Sequence, residues 1–292
     1  MADKRIARVF VRRTQYTPSD DLVFFEPPGM LVPEVDEVHI SCLFTWDKPK
    51  AEMLAHFWKR VAPVRVGGPA YGNEGGGGDE FTPGLYIAEG NTFSSRGCVR
   101  KCKYCMVPCQ EGSLRELNTI HSGSKLMDNN LLACSRSHIE KVFDMLETQK
   151  GVILSGGLDA RLLEKWHAER IAKLNLRNIA TAYDSMGVGK SVENALEILH
   201  EAGIPHGKIH CFVLGGFFDN DTPEKAEKRC RSVLLWGATA TAMYYRGPDE
   251  MEKKWKSKEW QKWVTRWSNQ RAIYSRAKRD GIPTYQDTLK CK

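Results

Sequence analysis

The run Ser191-Val-Glu-Asn-Ala-Leu-Glu-Ile-Leu-His-Glu-Ala-Gly203, followed by Lys208-Ile-His-Cys-Phe-Val-Leu214, carries the pattern on which the fold turns. Val192, Ala195, Leu196 and Leu199 recur at i, i+3, i+4 and i+7, the single buried stripe of an amphipathic helix. Gly203 suits the left-handed position that ends such a helix, and the apolar run after it reads as a buried strand. Thr222-Pro223-Glu224 then gives an N-cap with proline at the first helical position. Ala226, Cys230, Val233 and Leu234 form the inward face of that helix. Further strands are expected at 151–155, 178–183 and 238–244, with weaker ones at 85–93 and 119–127. Crossover helices are expected at 137–149 and 159–174. Strands alternating with helices predict a parallel α/β sheet, and right-handed crossovers would wind about six such units into an open barrel.

Composition narrows the class of protein. The chain has 292 residues, 41% of them hydrophobic, and a net charge of +7. No apolar stretch reaches the length of a membrane span, and the charged start lacks the apolar region of a secretory signal. Nine cysteines, three of them clustered, predict a reducing environment and a cytoplasmic location. The charge is concentrated: residues 250–280 carry ten Lys/Arg against four Asp/Glu, which is nearly all of the net charge.

Those three clustered cysteines stand in Cys98-Val-Arg-Lys-Cys102-Lys-Tyr-Cys105, a C-x3-C-x2-C spacing. Three thiolates in eight residues would hold three irons of a [4Fe-4S] cluster and leave the fourth for a small molecule, whereas electron-transfer clusters take four protein thiolates. Zinc is the competing metal, with Cys109 or His121 as a fourth ligand. Zinc sites usually pair two knuckles across a longer stretch, however, and no second C-x2-C or H-x3-H follows.

The cysteine run, including Tyr104, resembles the signature of the radical S-adenosylmethionine (SAM) enzymes. The likeness extends over roughly residues 85–248, through Val107-Pro108, Asp128-Asn129-Asn130, Gly156-Gly157-Leu-Asp159-Ala-Arg161, Ala202-Gly203-Ile204, Val213-Leu214-Gly215 and Asp221-Thr222-Pro223-Glu224. It is greatest toward members with a cobalamin-binding module ahead of the barrel. The resemblance implies a partial (β/α)6 TIM-like barrel whose cluster loop follows the first strand. It also implies a [4Fe-4S] cluster on Cys98, Cys102 and Cys105, with SAM bound at the open iron. An external one-electron donor of flavodoxin or ferredoxin type would reduce the cluster, and a 5'-deoxyadenosyl radical would attack the substrate. By the same resemblance, Tyr104, Asp128, Asn129, Asn130, Gly156, Gly157, Asp159 and Asp184 would frame SAM or substrate. Each also has a local alternative: Gly156-Gly157 as a tight turn, Asp128 and Asp184 as turn residues, Asp159 as a helix N-cap. The Gly-Gly-Glu-Pro form of the methionine-binding strand end is absent.

The remaining segments flank this barrel. Residues 1–66, with strands near 35–44 and 64–68 and a helix near 50–60, read as a partial Rossmann-like layer. It lacks the Asp-x-His-x-x-Gly ligand motif, so cobalamin is not expected. Residues 67–84 are a glycine-rich linker. Gly187-Val-Gly189-Lys190-Ser191 mimics a phosphate loop, but Asp184 occupies the place of its first glycine. Residues 249–292 form a basic extension, with Trp260, Trp263, Trp267 and Tyr274 on one side of a helix and Trp255 further round. The aromatic stripe suits docking on the barrel. The charges, among them Lys254, Lys258, Lys262, Arg266 and Arg271, suit a nucleic-acid backbone. Three functions follow as expectations: a radical SAM enzyme acting on a nucleobase in DNA or RNA, the same chemistry on a small metabolite or peptide, or a zinc-stabilised nucleic-acid-binding protein.

Overall fold

Alternation of side chains along short parallel strands organises the first part of the chain. The computed structural model describes residues 4–72, 81–247 and 257–289, and the chain divides into two compact units, Met1–Gly123 and Ser124–Lys292. In the first unit, β1 (Ile6–Phe10), β2 (Val23–Phe24), β3 (Glu37–Ser41) and β4 (Val64–Gly67) form a parallel sheet in the order β2-β1-β3-β4. One face is apolar: Ala7, Val9, Val38 and Ile40 pack on Leu54 and Trp58 of helix α1 (Lys48–Trp58). Burying a side chain of that kind contributes about 1.5–3 kcal/mol.

The opposite face is polar. Arg8, His39 and Arg65 share one register row across β1, β3 and β4. The rest of this unit includes a two-residue strand β5 (Asn91–Thr92), then the antiparallel pair β6 (Ser95–Arg96) and β7 (Arg115–Glu116), with the short helix α2 (Val107–Gln110) between them.

The second unit carries a parallel run in the order β12-β11-β10-β9-β8. Its strands are β8 (Lys125–Leu126), β9 (Lys150–Leu154), β10 (Asn175–Ala182), β11 (Ile209–Gly215) and β12 (Thr239–Tyr244). Helices α3 (Arg136–Glu147), α4 (Lys165–Lys173), α5 (Gly189–Glu201) and α6 (Pro223–Leu235) connect them. The fold is therefore mixed α/β with parallel sheets, and among the described residues no sheet closes into a barrel. Spatial order follows chain order, as expected when successive βαβ units each add one strand. Val192, Ala195, Leu196 and Leu199 are the buried face of α5, and Thr222 caps α6 by accepting the Lys225 N–H. No described helix is long and apolar enough to cross a membrane.

Several local expectations differ from what is observed. The strand anticipated at 85–93 is reduced to β5, because the carbonyls of Gly84 and Leu85 accept from Arg8 and the Ala88 N–H donates to Tyr16. The strand at 119–127 is reduced to β8. The helix expected from Asp159 begins only at Lys165, where His167 Nδ1 accepts the Glu164 N–H. In the described part of the extension the single expected helix is broken into α7 (Lys258–Trp267) and α8 (Gln270–Arg279), followed by α9 (Tyr285–Leu289). The break comes at Ser268, whose hydroxyl turns back to Val264, while Arg276 donates to the carbonyls of Thr265 and Arg266 and satisfies the end of α7.

Candidate metal and cofactor site

The cysteine run lies in the loop between β6 and β7, whose paired strands clamp its two ends. The base is fixed further by polar contacts. Glu111 accepts the Gly97 N–H at 2.9 Å and pairs with Arg96 at 3.3 Å, while the Cys98 N–H donates to Gly112 at 3.3 Å. Within the loop, the Cys105 N–H donates to the Cys102 carbonyl at 3.0 Å, which puts these two residues on one turn. The Arg100 N–H donates to Cys98 Sγ at 3.3 Å. Cys98, Cys102 and Cys105 are in no disulfide and, like Tyr104, are of intermediate exposure, whereas Cys109 is exposed.

Among the described residues, no three His, Cys, Asp or Glu side chains are gathered closely enough to hold a metal ion. The fit to an iron–sulfur cluster rests on the donor set: three reduced, accessible thiols on one short loop, with a backbone N–H already aimed at a sulfur. That is the ligand chemistry such clusters use, and hydrogen bonds to sulfur are among the features that tune them. Of the two residues named as a fourth zinc ligand, Cys109 is exposed. The other, His121, has its ring edge-on against Phe81, with centroids 6.0 Å apart.

The other expected residues cluster at the carboxyl ends of strands in the second unit. Asp128 and Asn130, just after β8, are buried, and Asn129 between them is half-buried. Gly156 explains its own identity, since a Cβ there would stand 1.6 Å from the Asp128 carbonyl oxygen. The β8 and β9 strand ends thus meet backbone to backbone, and Gly157 continues the turn at φ +90°. Asp159 does not cap a helix. Its carboxylate takes both arms of Arg161, at 2.7 and 3.1 Å, and the Arg161 N–H at 3.2 Å. Asn130 reaches it from β8, Nδ2 to Oδ2 at 3.5 Å. Asp184, after β10, is half-buried. Lys190 of the phosphate-loop mimic is a surface residue paired with Glu193 at 3.1 Å.

The resemblance-bearing segment Asp221-Thr-Pro-Glu224 also acquires a physical reason. Asp221 and Arg229 form a two-armed pair at 2.9 Å on each arm, with both side chains almost fully buried. Arg229 also donates to the Leu214 carbonyl at 2.6 Å, so the pair ties the end of β11 to α6.

The tryptophans of α7 face inward. Trp260, Trp263 and Trp267 are buried, and a Cβ on Gly215 would come within 2.7 Å of the first two rings. Trp267 Nε1 donates to Glu227 of α6. Trp260, Trp263 and Trp267 are therefore a docking surface for the helix. Lys258 and Lys262 are exposed, while Arg266 is engaged by Asp280 at 2.6 Å and Glu227 at 3.7 Å. Arg271 lies on α8; Lys254 and Trp255 lie outside the described residues, as do residues 73–80 of the expected linker.

Sequence patterns did not single out the polar network of the first unit. Glu37 is hydrogen-bonded by Lys4 and by His39 and approached by Arg65, and its carboxyl is held down to about 2, with the Lys4 hydrogen bond the largest cause. His39 in turn binds the Tyr86 hydroxyl. The i, i+2, i+4 spacing of Glu37, His39 and Ser41 was the available signal, one polar face of a strand. No protein-family model matches this chain, and no curated protein is similar enough to match it.

Proposed function

We propose that this chain is a radical SAM enzyme, with its parallel strands and crossover helices forming a partial (β/α)6 barrel. The observation that carries the proposal is the loop of three cysteines in C-x3-C-x2-C spacing, none in a disulfide, clamped by a strand pair, with a backbone N–H on one sulfur. Cys98, Cys102 and Cys105 would hold a [4Fe-4S] cluster. With SAM bound, that cluster supplies the electron for reductive cleavage of the sulfonium bond and hence a hydrogen-abstracting 5'-deoxyadenosyl radical.

The chain's own groups orient and shield. The Arg100 N–H stabilises negative charge on Cys98, as hydrogen bonds to ionised acceptors do. Tyr104, half-buried, precedes the last cysteine and would pack near SAM. Asp128, Asn129 and Asn130 present polar groups at the β8 end, and Gly156 lets the next strand end come up against them. Arg161 and Asn130 fix the Asp159 carboxylate in one orientation beside the β8 and β9 strand ends. Asp184 offers a further acceptor. A flavodoxin- or ferredoxin-like protein is the expected reductant.

The substrate we propose is a nucleobase within DNA or RNA. The support is the basic extension, where exposed Lys258 and Lys262 lie on the side of α7 away from its docked tryptophans. Affinity for nucleic acid that falls steeply with salt would agree with this. Weak, salt-independent binding would favour a small metabolite or peptide instead. The cofactor assignment is tested by anaerobic reconstitution followed by iron, sulfide and spin-resonance analysis. About four irons and four sulfides per chain, with a spectrum changed by SAM, is expected. A purified chain holding zinc and no sulfide would overturn it in favour of a structural zinc site.

A further inference from the structure

A cavity of about 290 Å³ lies wholly within the first unit, at the carboxyl ends of its parallel strands. Phe10 and Arg12 line it from the end of β1, Ser41 and Leu43 from the end of β3, and Gly68 from the end of β4. In the order β2-β1-β3-β4, the chain leaves β1 toward one side and returns on the other, so the β1/β3 boundary is a topological switch point. Open parallel sheets bind ligands in the crevice there. No pattern in the sequence, and no part of the SAM assignment, uses this cavity.

Its chemistry narrows the ligand. Two arginines line it, and each is matched by a carboxylate that also lines it. Arg12 holds Asp47 with both arms, Nη2 to Oδ1 at 2.7 Å, and Arg96 meets Glu111 at 3.3 Å. These groups sum to zero charge. No helix follows β1 to receive a phosphate, and the N-cap of α1 is Asp47 itself, a carboxylate that repels one. Phosphorylated ligands are therefore disfavoured.

The remaining walls include four aromatic side chains, Phe10, Tyr16, Tyr86 and Phe93, beside the aliphatic Val11, Leu43 and Ile87. The Tyr86 hydroxyl is bound by His39, and the Arg96 guanidinium lies over the Phe93 ring at 4.2 Å. Aromatic side chains beside guanidinium and carboxylate groups suit a planar molecule whose edge carries both acceptors and donors. The volume falls at the small end of ligand pockets.

We propose that this pocket binds a neutral heteroaromatic base or its nucleoside. Ring faces lie against the aromatic wall, and the donor–acceptor edge meets Arg96 and Glu111. Glu111 also accepts the Gly97 N–H at the root of the cysteine loop, so an occupied pocket shares a carboxylate with that loop. The site is independent of whether the cysteines carry a cluster.

The test is isothermal titration of the full chain, purified without added iron, with adenosine, guanosine, AMP and GMP. One nucleoside is expected to bind at a single site, more tightly than its own monophosphate. Leu43→Trp, at a half-exposed rim position, should weaken that binding about tenfold or more without lowering the melting temperature. Glu111→Gln keeps the volume, removes the acceptor charge, and should weaken it by a similar factor of about ten. Three results would overturn the proposal: no nucleoside binding at millimolar concentration, monophosphates binding more tightly than nucleosides, or folded variants that bind as the parent does. Because no cluster is present, failure here leaves the SAM assignment standing, and loss of that assignment leaves this one testable.

Discussion

Replacing Asp221 by asparagine should destabilise the chain severely. Arg229 is 2% exposed and Asp221 3%, and the carboxylate accepts from both guanidinium arms at 2.9 Å. Asparagine preserves the shape but leaves the guanidinium charge buried against a neutral amide, whose nitrogen now faces a donor. Breaking a buried pair by removing one partner costs about 3–5 kcal/mol. At about 2–4 °C per kcal/mol for a domain of this size, the melting temperature should fall by roughly 6–20 °C. Arg229 also holds the Leu214 carbonyl at 2.6 Å, so the end of β11 should loosen with it. Circular dichroism during thermal and urea unfolding measures the loss in Asp221→Asn. The double variant Asp221→Leu with Arg229→Met should recover most of it, since replacing both charges by apolar groups is often near neutral. A single-variant cost below about 1 kcal/mol, in the range of an exposed pair, would refute the reasoning. So would a double variant as unstable as the single one.

Gly156→Ala should force the β8 and β9 strand ends apart, because its Cβ would stand 1.6 Å from the Asp128 carbonyl. A loss of at least about 1–3 kcal/mol should appear in urea unfolding, and a neutral result would mean that the strand ends do not meet as described. Trp263→Ala should cost about 3–5 kcal/mol while Lys262→Ala costs under about 0.5 kcal/mol, and equal effects would show that α7 is not docked by its tryptophans. Burial pushes His210 below the ordinary histidine value, so its neutral form is the one the fold accepts. Its contribution is full above about pH 6.5 and is lost as pH falls through the lowered value. Melting temperatures between about pH 8 and pH 5 should therefore fall less in His210→Gln than in the parent, and identical profiles would contradict this.

The parts of the fold legible in the sequence are those where periodicity and burial coincide. The α5 stripe and the runs that became β9 to β11 are apolar because one face of an amphipathic helix, and both faces of an internal parallel strand, are covered. Strand ends were harder to read, since they depend on distant side chains. Arg8 withdraws the carbonyls of residues 84 and 85 from any ladder, and nothing near residue 85 announces it. Asp159 looks like a helix cap until Arg161 is seen to occupy its carboxylate. The inward turn of the α7 tryptophans follows from their i, i+3, i+7 spacing. The ion pairs of Arg266 do not, because Glu227 and Asp280 lie far from it in sequence. The pocket at the β1/β3 boundary combines five separate stretches of chain, so local patterns could at most reveal its polar strand face.

Reductive SAM cleavage tests the central claim most directly. The reconstituted chain, reduced anaerobically and given SAM, should release 5'-deoxyadenosine, and Cys102→Ala should abolish it. Absence of 5'-deoxyadenosine from a chain that carries a full cluster, or equal release from Cys102→Ala, would contradict the assignment of Cys98, Cys102 and Cys105 as the seat of the chemistry.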